Sequence, residues 1–125
     1  MRKWVLAAAM AAAMPVAASA ADAEAGKVVF NKCKACHQIG PGAKNAVGPH
    51  LDGVIGRKAG TAEGFNYSEA MKNSGLTWDE KTFKDYIEDP RKVVPGNKMV
   101  FMGLKSEEDR DNLYEYLKSQ SPGAK

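Results

Sequence analysis

The stretch FNKCKACHQIG, residues 30–40, decides how the rest of the chain is read. It holds both cysteines of a 125-residue sequence, Cys33 and Cys36, three positions apart, and His37 follows at once. Two thiols at that spacing serve as a redox couple, half of a zinc site, a small disulfide or an attachment point for something larger. The flanking sequence has to separate these.

Toward the N-terminus, Ala23–Lys34 has helical composition with Asp22 placed as N-cap. Gly26, Val29, Phe30 and Cys33 share one face of it. A glycine inside a helix costs about 1 kcal/mol relative to alanine, so close packing of another backbone is expected at Gly26. Further upstream, Arg2 and Lys3 precede the apolar run Trp4–Val16, and Ala18-Ser19-Ala20 supplies the small-residue pattern of a cleaved export signal. The run falls short of the about 20 apolar residues a membrane span needs, and Pro15 interrupts it, which disfavours a retained anchor. The expected organisation is a cleaved signal peptide over 1–20 and a single domain over 21–125, exported to the periplasm.

Cleavage changes the charge balance. Eighteen basic residues less Arg2 and Lys3 leave sixteen against fifteen acidic, so the net charge falls from +3 to +1. That balance, with no basic block, excludes a general nucleic-acid binder. A chain of this size buries a modest share of its surface and is commonly reinforced by disulfides, a metal or a cofactor. A bridge between Cys33 and Cys36 closes too short a loop to constrain much of the unfolded chain.

Toward the C-terminus, Gly40–Gly64 holds seven glycines and two prolines and shows no sustained period. A loop that long in a small domain is expected to wrap around something. Ser68–Ser74 reads as a short helix stopped by Gly75. Thr77-Trp78-Asp79-Glu80 reads as a capping box opening a helix to about Glu88, with Phe83, Tyr86 and Ile87 on its buried face and Pro90 ending it. Val94–Leu104 is a second loop. Ser106 caps a last helix through Ser119, with acids in its first turn and Leu113, Tyr116 and Leu117 buried. The outline is all-α.

Cys33-Lys34-Ala35-Cys36-His37 matches C-x-x-C-H, the attachment motif for c-type haem. Two thiols three residues apart in a helical turn can each add to one vinyl group of the porphyrin, and the next residue then offers an imidazole to the iron. A thioredoxin-type pair wants a βαβ setting, which is absent. A zinc site needs four ligands, and only His50 could join the first three. A disulfide leaves His37 and the loops unexplained. The occupant of the second axial position decides what a haem protein does, and Met71, Met99, Met102 and His50 are the candidates. Met71 reads as helix packing and His50 as a loop histidine. Met99 lies in the turn-forming Pro95-Gly96-Asn97-Lys98-Met99 loop, which can bring a side chain inward, and Met102 competes with it.

With these residues in place, the sequence resembles the class I cytochromes c, of the soluble bacterial kind close to mitochondrial cytochrome c. The likeness runs through Gly26 and Phe30, the C-x-x-C-H motif, Gly48-Pro49-His50-Leu51 and Gly56-Arg57-Lys58-Ala59-Gly60. It continues in Gly64-Phe65-Asn66-Tyr67-Ser68, Thr77-Trp78, Tyr86-Ile87, Asp89-Pro90 and the methionine loop. It implies a cytochrome c fold, with first and last helices crossing where Gly26 and Phe30 meet Leu113 and Tyr116, around one covalently attached haem c. It also implies Met99 as sixth ligand opposite His37, the Pro49 carbonyl holding the other His37 nitrogen, and Tyr86 hydrogen-bonded near the sulfur. Arg57, Tyr67 and Trp78 would serve the haem propionates. Three features depart from the pattern. Phe30 precedes Cys33 with one residue fewer than in mitochondrial proteins, which suits the bacterial branch. Asn97 stands where threonine is common, its amide still able to hydrogen-bond near the cofactor. Met71 stands where many relatives carry an internal asparagine, which implies a drier pocket and a shifted potential.

A haem with protein ligands on both faces has no open position, so one-electron exchange is expected and catalysis is not. The expected role is a monomeric, diffusible carrier between redox complexes of a respiratory or photosynthetic chain, such as a cytochrome bc-type complex, a terminal oxidase or a reaction centre. The competing reading is a peroxidase-like haem-c enzyme or sensor with a labile Met99. Lys32, Lys34, Lys44, Arg91, Lys92, Lys98 and Lys105, with Lys27, cluster in sequence near the haem motif and the methionine loop. They are expected to dock transiently onto acidic surfaces of membrane-bound partners.

Overall fold

The computed structural model describes residues 21–123; the expected signal peptide lies outside them. Among the described residues, five α-helices occur in the order α1 (Ala23–Val29), α2 (Glu69–Lys72), α3 (Glu80–Glu88), α4 (Pro90–Val93) and α5 (Glu107–Ser119). Among the described residues there is no strand, only an isolated bridge between Lys58 and Thr77. No helix among them is long and apolar enough to cross a membrane.

α1 starts where Asp22 accepts the Glu24 N–H at 2.9 Å, an N-cap that satisfies one of the first-turn donors. The helix expected through Lys34 holds α geometry only to Val29 and then tightens into a 3-10 turn over Phe30–Lys32. The chain continues as a turn in which the Cys33 carbonyl accepts from both Cys36 N–H, at 3.1 Å, and His37 N–H, at 2.9 Å. The C-x-x-C-H segment therefore follows the helix rather than extending it.

α1 packs against α5. Gly26 is buried at the contact, and a Cβ there would run into the Asn112 carbonyl oxygen and lie 2.8 Å from Tyr116 Cβ. The mid-helix glycine is thus explained by backbone approach, at Asn112 and Tyr116. Phe30 is buried and meets Tyr116 with ring centroids 5.5 Å apart. Across the same contact, Asn112 Oδ1 accepts the Asp22 N–H at 2.8 Å. Leu113 and Leu117 are buried as expected, and Tyr114 joins them, while Tyr116 keeps one edge in solvent.

α3 differs from expectation at its start. Asp79, not Thr77, is the N-cap, accepting the Thr82 N–H at 2.8 Å, because Thr77 is held in the bridge to Lys58. Phe83, Tyr86 and Ile87 are buried on its inner face. Pro90 does not simply end the helix. It opens α4, with Asp89 as its N-cap and proline at a position where a missing N–H does no harm. α5 is capped by Ser106, whose hydroxyl accepts the Asp109 N–H at 3.2 Å. The two long loops have no helix of their own and close around the cavity that the helices leave.

Candidate functional site

The enclosed space between the loops and the inner faces of α3 and α5 is a cavity of about 280 Å³. Cys33, Cys36 and His37 line it from the turn after α1, Pro49 and Arg57 from the first loop, and Asn97 and Met99 from the second. Trp78, Tyr86 and Leu117 belong to its wall as well. The loop expected to wrap around something therefore does so.

His37 is fixed by one bond. Its Nδ1–H donates to the Pro49 carbonyl at 2.7 Å, which leaves Nε2 with a free lone pair. Burial pushes its pKa below the usual imidazole range, the Pro49 bond opposes this, and the Arg57 charge adds to it. The ring is held neutral, as a metal ligand must be. Gly48 makes room for it: a Cβ there would collide with the ring, lying 2.8 Å from Nδ1. No disulfide joins the two cysteines, and burial, with the neighbouring Cys36, pushes the Cys33 thiol up to about 11.

The candidates for the opposite face separate by position. Met99 and Met71 are half-buried and line the cavity. Met102 is 76% exposed and, like His50, does not line it. Tyr86 O–H donates to Met99 Sδ at 3.9 Å, and burial raises the pKa of that hydroxyl, so it stays protonated. Asn97 turns its side chain to the backbone: Nδ2 donates to the Pro90 carbonyl at 3.0 Å and the Val94 carbonyl at 2.8 Å, and Oδ1 accepts the Met99 N–H at 2.7 Å.

Arg57, Tyr67 and Trp78 gather along one part of the wall. Arg57 donates from its two terminal nitrogens to the Asp52 carbonyl at 3.2 Å and the His50 carbonyl at 2.9 Å. Its Nε is buried without a partner. Tyr67 accepts the Ala62 N–H at 2.9 Å on its hydroxyl oxygen, leaving the O–H hydrogen uncommitted. An unpartnered buried guanidinium nitrogen beside a free hydroxyl proton suits an anionic group within the cavity. Two thiols, a neutral imidazole, a thioether and that anion-seeking edge together fit a haem with its propionates.

The seven basic side chains expected at a docking face are all exposed. Lys32 and Lys98 line the cavity itself, alongside Val47 and Val100, which are 75% and 89% exposed. Lys98 Nζ donates to the Asn66 carbonyl at 2.9 Å, and Lys105 Nζ to the Glu88 carbonyl at 2.7 Å. Lys34, Lys44, Arg91 and Lys92 do not line the cavity. The sequence reading missed Val47, Phe65, Ser68 and Phe101 on the cavity wall. They lie in aperiodic loops or at a cap, where no spacing rule marks an inward residue. It also missed α4, although Asp89-Pro90 is itself a helix-start signal.

The family model described as cytochrome c matches residues 23–121. Cytochrome c2 of Rhodoblastus acidophilus is 67% identical over 98 residues, covering 78% of this chain and 92% of that protein. Cytochrome c2 of Blastochloris viridis is 52% identical over 118 residues, covering 94% and 93%. Among solved structures, cytochrome c2 from Rhodospirillum centenum superposes with a TM-score of 0.76 at 43% identity, over 81% of this chain and 99% of that one.

Proposed function

This chain belongs to the cytochrome c family, and from that premise we propose that His37 and Met99 are the two axial ligands of its haem, held covalently through Cys33 and Cys36. The protein carries one haem c and is a one-electron carrier, not an enzyme. When bound, the haem supplies an Fe(III)/Fe(II) couple. The observation that supports the ligand assignment is that a neutral imidazole and a half-buried thioether line the same cavity as both thiols.

The side chains divide the remaining work. The Pro49 carbonyl keeps the proton on Nδ1 of His37, so that Nε2 is the ligating atom. Tyr86 O–H faces the Met99 sulfur and withdraws electron density from it. A neutral thioether opposite imidazole favours the reduced state and raises the potential. Arg57, Tyr67 and Trp78 bind the propionates, and Asn97 supports the ligand loop. His37 and Met99 would together hold the iron, and the haem would then supply one-electron exchange rather than a site for oxygen or peroxide.

The partners are redox protein complexes that meet the carrier only briefly, such as a cytochrome bc-type complex, a terminal oxidase or a reaction centre with an acidic docking surface. Lys32 and Lys98 beside Val47 and Val100 support a docking face at the cavity mouth, with Lys34, Lys44, Arg91, Lys92 and Lys105 extending the positive field. Residues 1–20 would direct the chain to the periplasm and be removed there.

The test is Met99→Ala in the haem-loaded protein. We expect loss of the far-red iron(III)–thioether absorption band, a lowered midpoint potential, and carbon monoxide binding by the reduced form. An unaltered spectrum and an unmoved midpoint overturn the assignment.

A further inference from the structure

The segment that presents Met99 is held mainly by side-chain packing of Met99 and Phe101 against the core, and its main chain makes few hydrogen bonds. Val100 and Met102 are exposed at 89% and 76%, and none of residues 98–103 lies in a helix. Among the described residues, one hydrogen bond reaches a main-chain group of residues 98–103: the Met99 N–H to Asn97 Oδ1, at 2.7 Å. The next main-chain tie is Leu104 N–H to the Ile87 carbonyl, at 2.7 Å.

Asn97 is well built for that single tie. Both Nδ2 protons go to backbone carbonyls, of Pro90 and Val94, and Oδ1 accepts from Met99. The two carbonyls only accept and the amide N–H only donates, so one orientation of the side-chain amide satisfies all three. The anchor is firm, because Pro90 and Val94 are themselves buried. The Pro90 carbonyl already accepts the Val94 N–H at 3.0 Å and the Val94 carbonyl the Asn97 N–H at 3.1 Å, so the Asn97 amide adds a second donor to each.

We propose that Asn97 is the positioning residue that keeps this haem closed. It clasps the Met99 backbone to the buried end of α4, and without it the 98–103 segment swings outward and the coordination position becomes available to an external ligand. The proposal rests on the assignment of Met99 as ligand and goes further, assigning the persistence of that ligation to the side chain two positions earlier. Its role is through hydrogen bonds to the backbone of α4 and Met99, although it also lines the cavity.

The experiment compares haem-loaded Asn97→Ala, Asn97→Asp and Ser106→Ala with the parent. Ser106 caps α5 and has no hydrogen bond to the ligand loop, so its variant reports general destabilisation. The first readout is the rate at which added imidazole replaces the native ligand in the oxidised protein. The second is hydrogen exchange at the Met99 amide, with the buried Leu117 amide as reference. Asn97→Ala should speed imidazole entry and Met99 exchange by about 10- to 100-fold, the factor that two or three ordinary hydrogen bonds amount to. Asn97→Asp keeps an acceptor for Met99 but sets a carboxylate against the Pro90 and Val94 carbonyls, and should also speed both readouts. Ser106→Ala should stay within about twofold of the parent in both readouts, an expectation set by the absence of any bond from Ser106 to this loop.

Asn97→Ala matching the parent within about twofold in both readouts overturns the proposal, since even one lost bond should exceed that. So does Ser106→Ala accelerating imidazole entry as much as Asn97→Ala. Should the alanine variant fail to fold, Asn97→Asp decides, and parent-like values for it overturn the clasp. A parent that lacks the far-red thioether band would instead overturn the Met99 assignment. The exchange rate of the Met99 amide still tests the clasp in that case.

Discussion

Replacing Gly26 by alanine sets two effects of opposite sign against each other. Helix propensity alone makes the variant more stable, by about 1 kcal/mol. The α1–α5 contact says otherwise. An added Cβ would collide with the Asn112 carbonyl oxygen, and would lie 2.6 Å from its carbon and 2.8 Å from Tyr116 Cβ. These are backbone atoms and a Cβ, none of which can turn aside. Comfortable carbon contacts lie at roughly 3.5–4.0 Å, so the two helices must part by about 1 Å at their closest point. A gap of about 0.5–1 Å forfeits a quarter to a half of the attraction at each contact it opens. The Phe30–Tyr116 pair, at 5.5 Å between centroids, and buried Leu113 and Leu117 all bear on that contact. Overpacking costs about 1–3 kcal/mol, and with immobile obstacles the upper end applies. Subtracting the gain of about 1 kcal/mol in propensity leaves a net loss of about 2 kcal/mol. For a domain of this size that lowers Tm by about 8–16 °C. Far-UV circular dichroism of haem-loaded parent and variant, on heating and in guanidinium, measures it, and the denaturant slope should not change. A midpoint equal to or above that of the parent refutes the reasoning, because propensity would then have won.

Tyr86→Phe should leave stability within about 1 kcal/mol of the parent, since the hydroxyl has only a long contact to sulfur. It should lower the midpoint potential by up to about 20 mV, the one-electron equivalent of about 0.5 kcal/mol; a rise would contradict the direction of the O–H dipole. Asp79→Ala should be less stable than the parent at pH 7, with the difference closing in acid. The Thr82 N–H and side chain hold the Asp79 carboxyl below its unfolded value, so its contribution is complete above that value and disappears as pH falls through the folded one. A difference that stays constant from pH 7 to about pH 2 counts against this linkage. Electron transfer to an acidic partner should slow as ionic strength rises from about 10 mM to 150 mM, over which the screening length drops from about 30 Å to 8 Å. A flat rate means that Lys32, Lys98 and their neighbours do not guide docking.

The elements with a strong local signal were legible from sequence. Ser106 with three following acids marks the start of α5, and the glycine in α1 points to a close backbone neighbour. The identity of that neighbour was less accessible: Leu113 and Tyr116 were expected, but Asn112 makes the closest approach, because a carbonyl oxygen leaves no trace in a hydrophobic pattern. The start of α3 was misplaced for a tertiary reason. Thr77 reads as a cap until the bridge to Lys58, nineteen positions earlier, removes it. Motif residues were legible because covalent chemistry fixes their spacing, whereas Val47 and Phe101 belong to the site only through the course of aperiodic loops.

Met71 and Asn97 are two of the departures from the pattern of related sequences, and their surroundings give them a common consequence. Met71 places a thioether on the cavity wall, an apolar and polarizable surface with little to offer a water molecule. Asn97 turns its polar atoms away, onto α4 and the Met99 backbone. Ser68 accepts the Met71 N–H at 3.0 Å, and Tyr67 accepts that of Ala62. These groups are occupied in fixing the cavity's own loops, while the Arg57 Nε and the Tyr67 O–H stay free for the propionates. Once those are paired, few dipoles would be left to reorient when the charge inside changes by one. A carrier benefits from that immobility, because each reorientation between oxidation states would add to the barrier for the electron's transfer. The main-chain hold on the Met99 loop is the weakest part, resting on one backbone tie, so the packing around the cavity depends on the Asn97 clasp to stay shut.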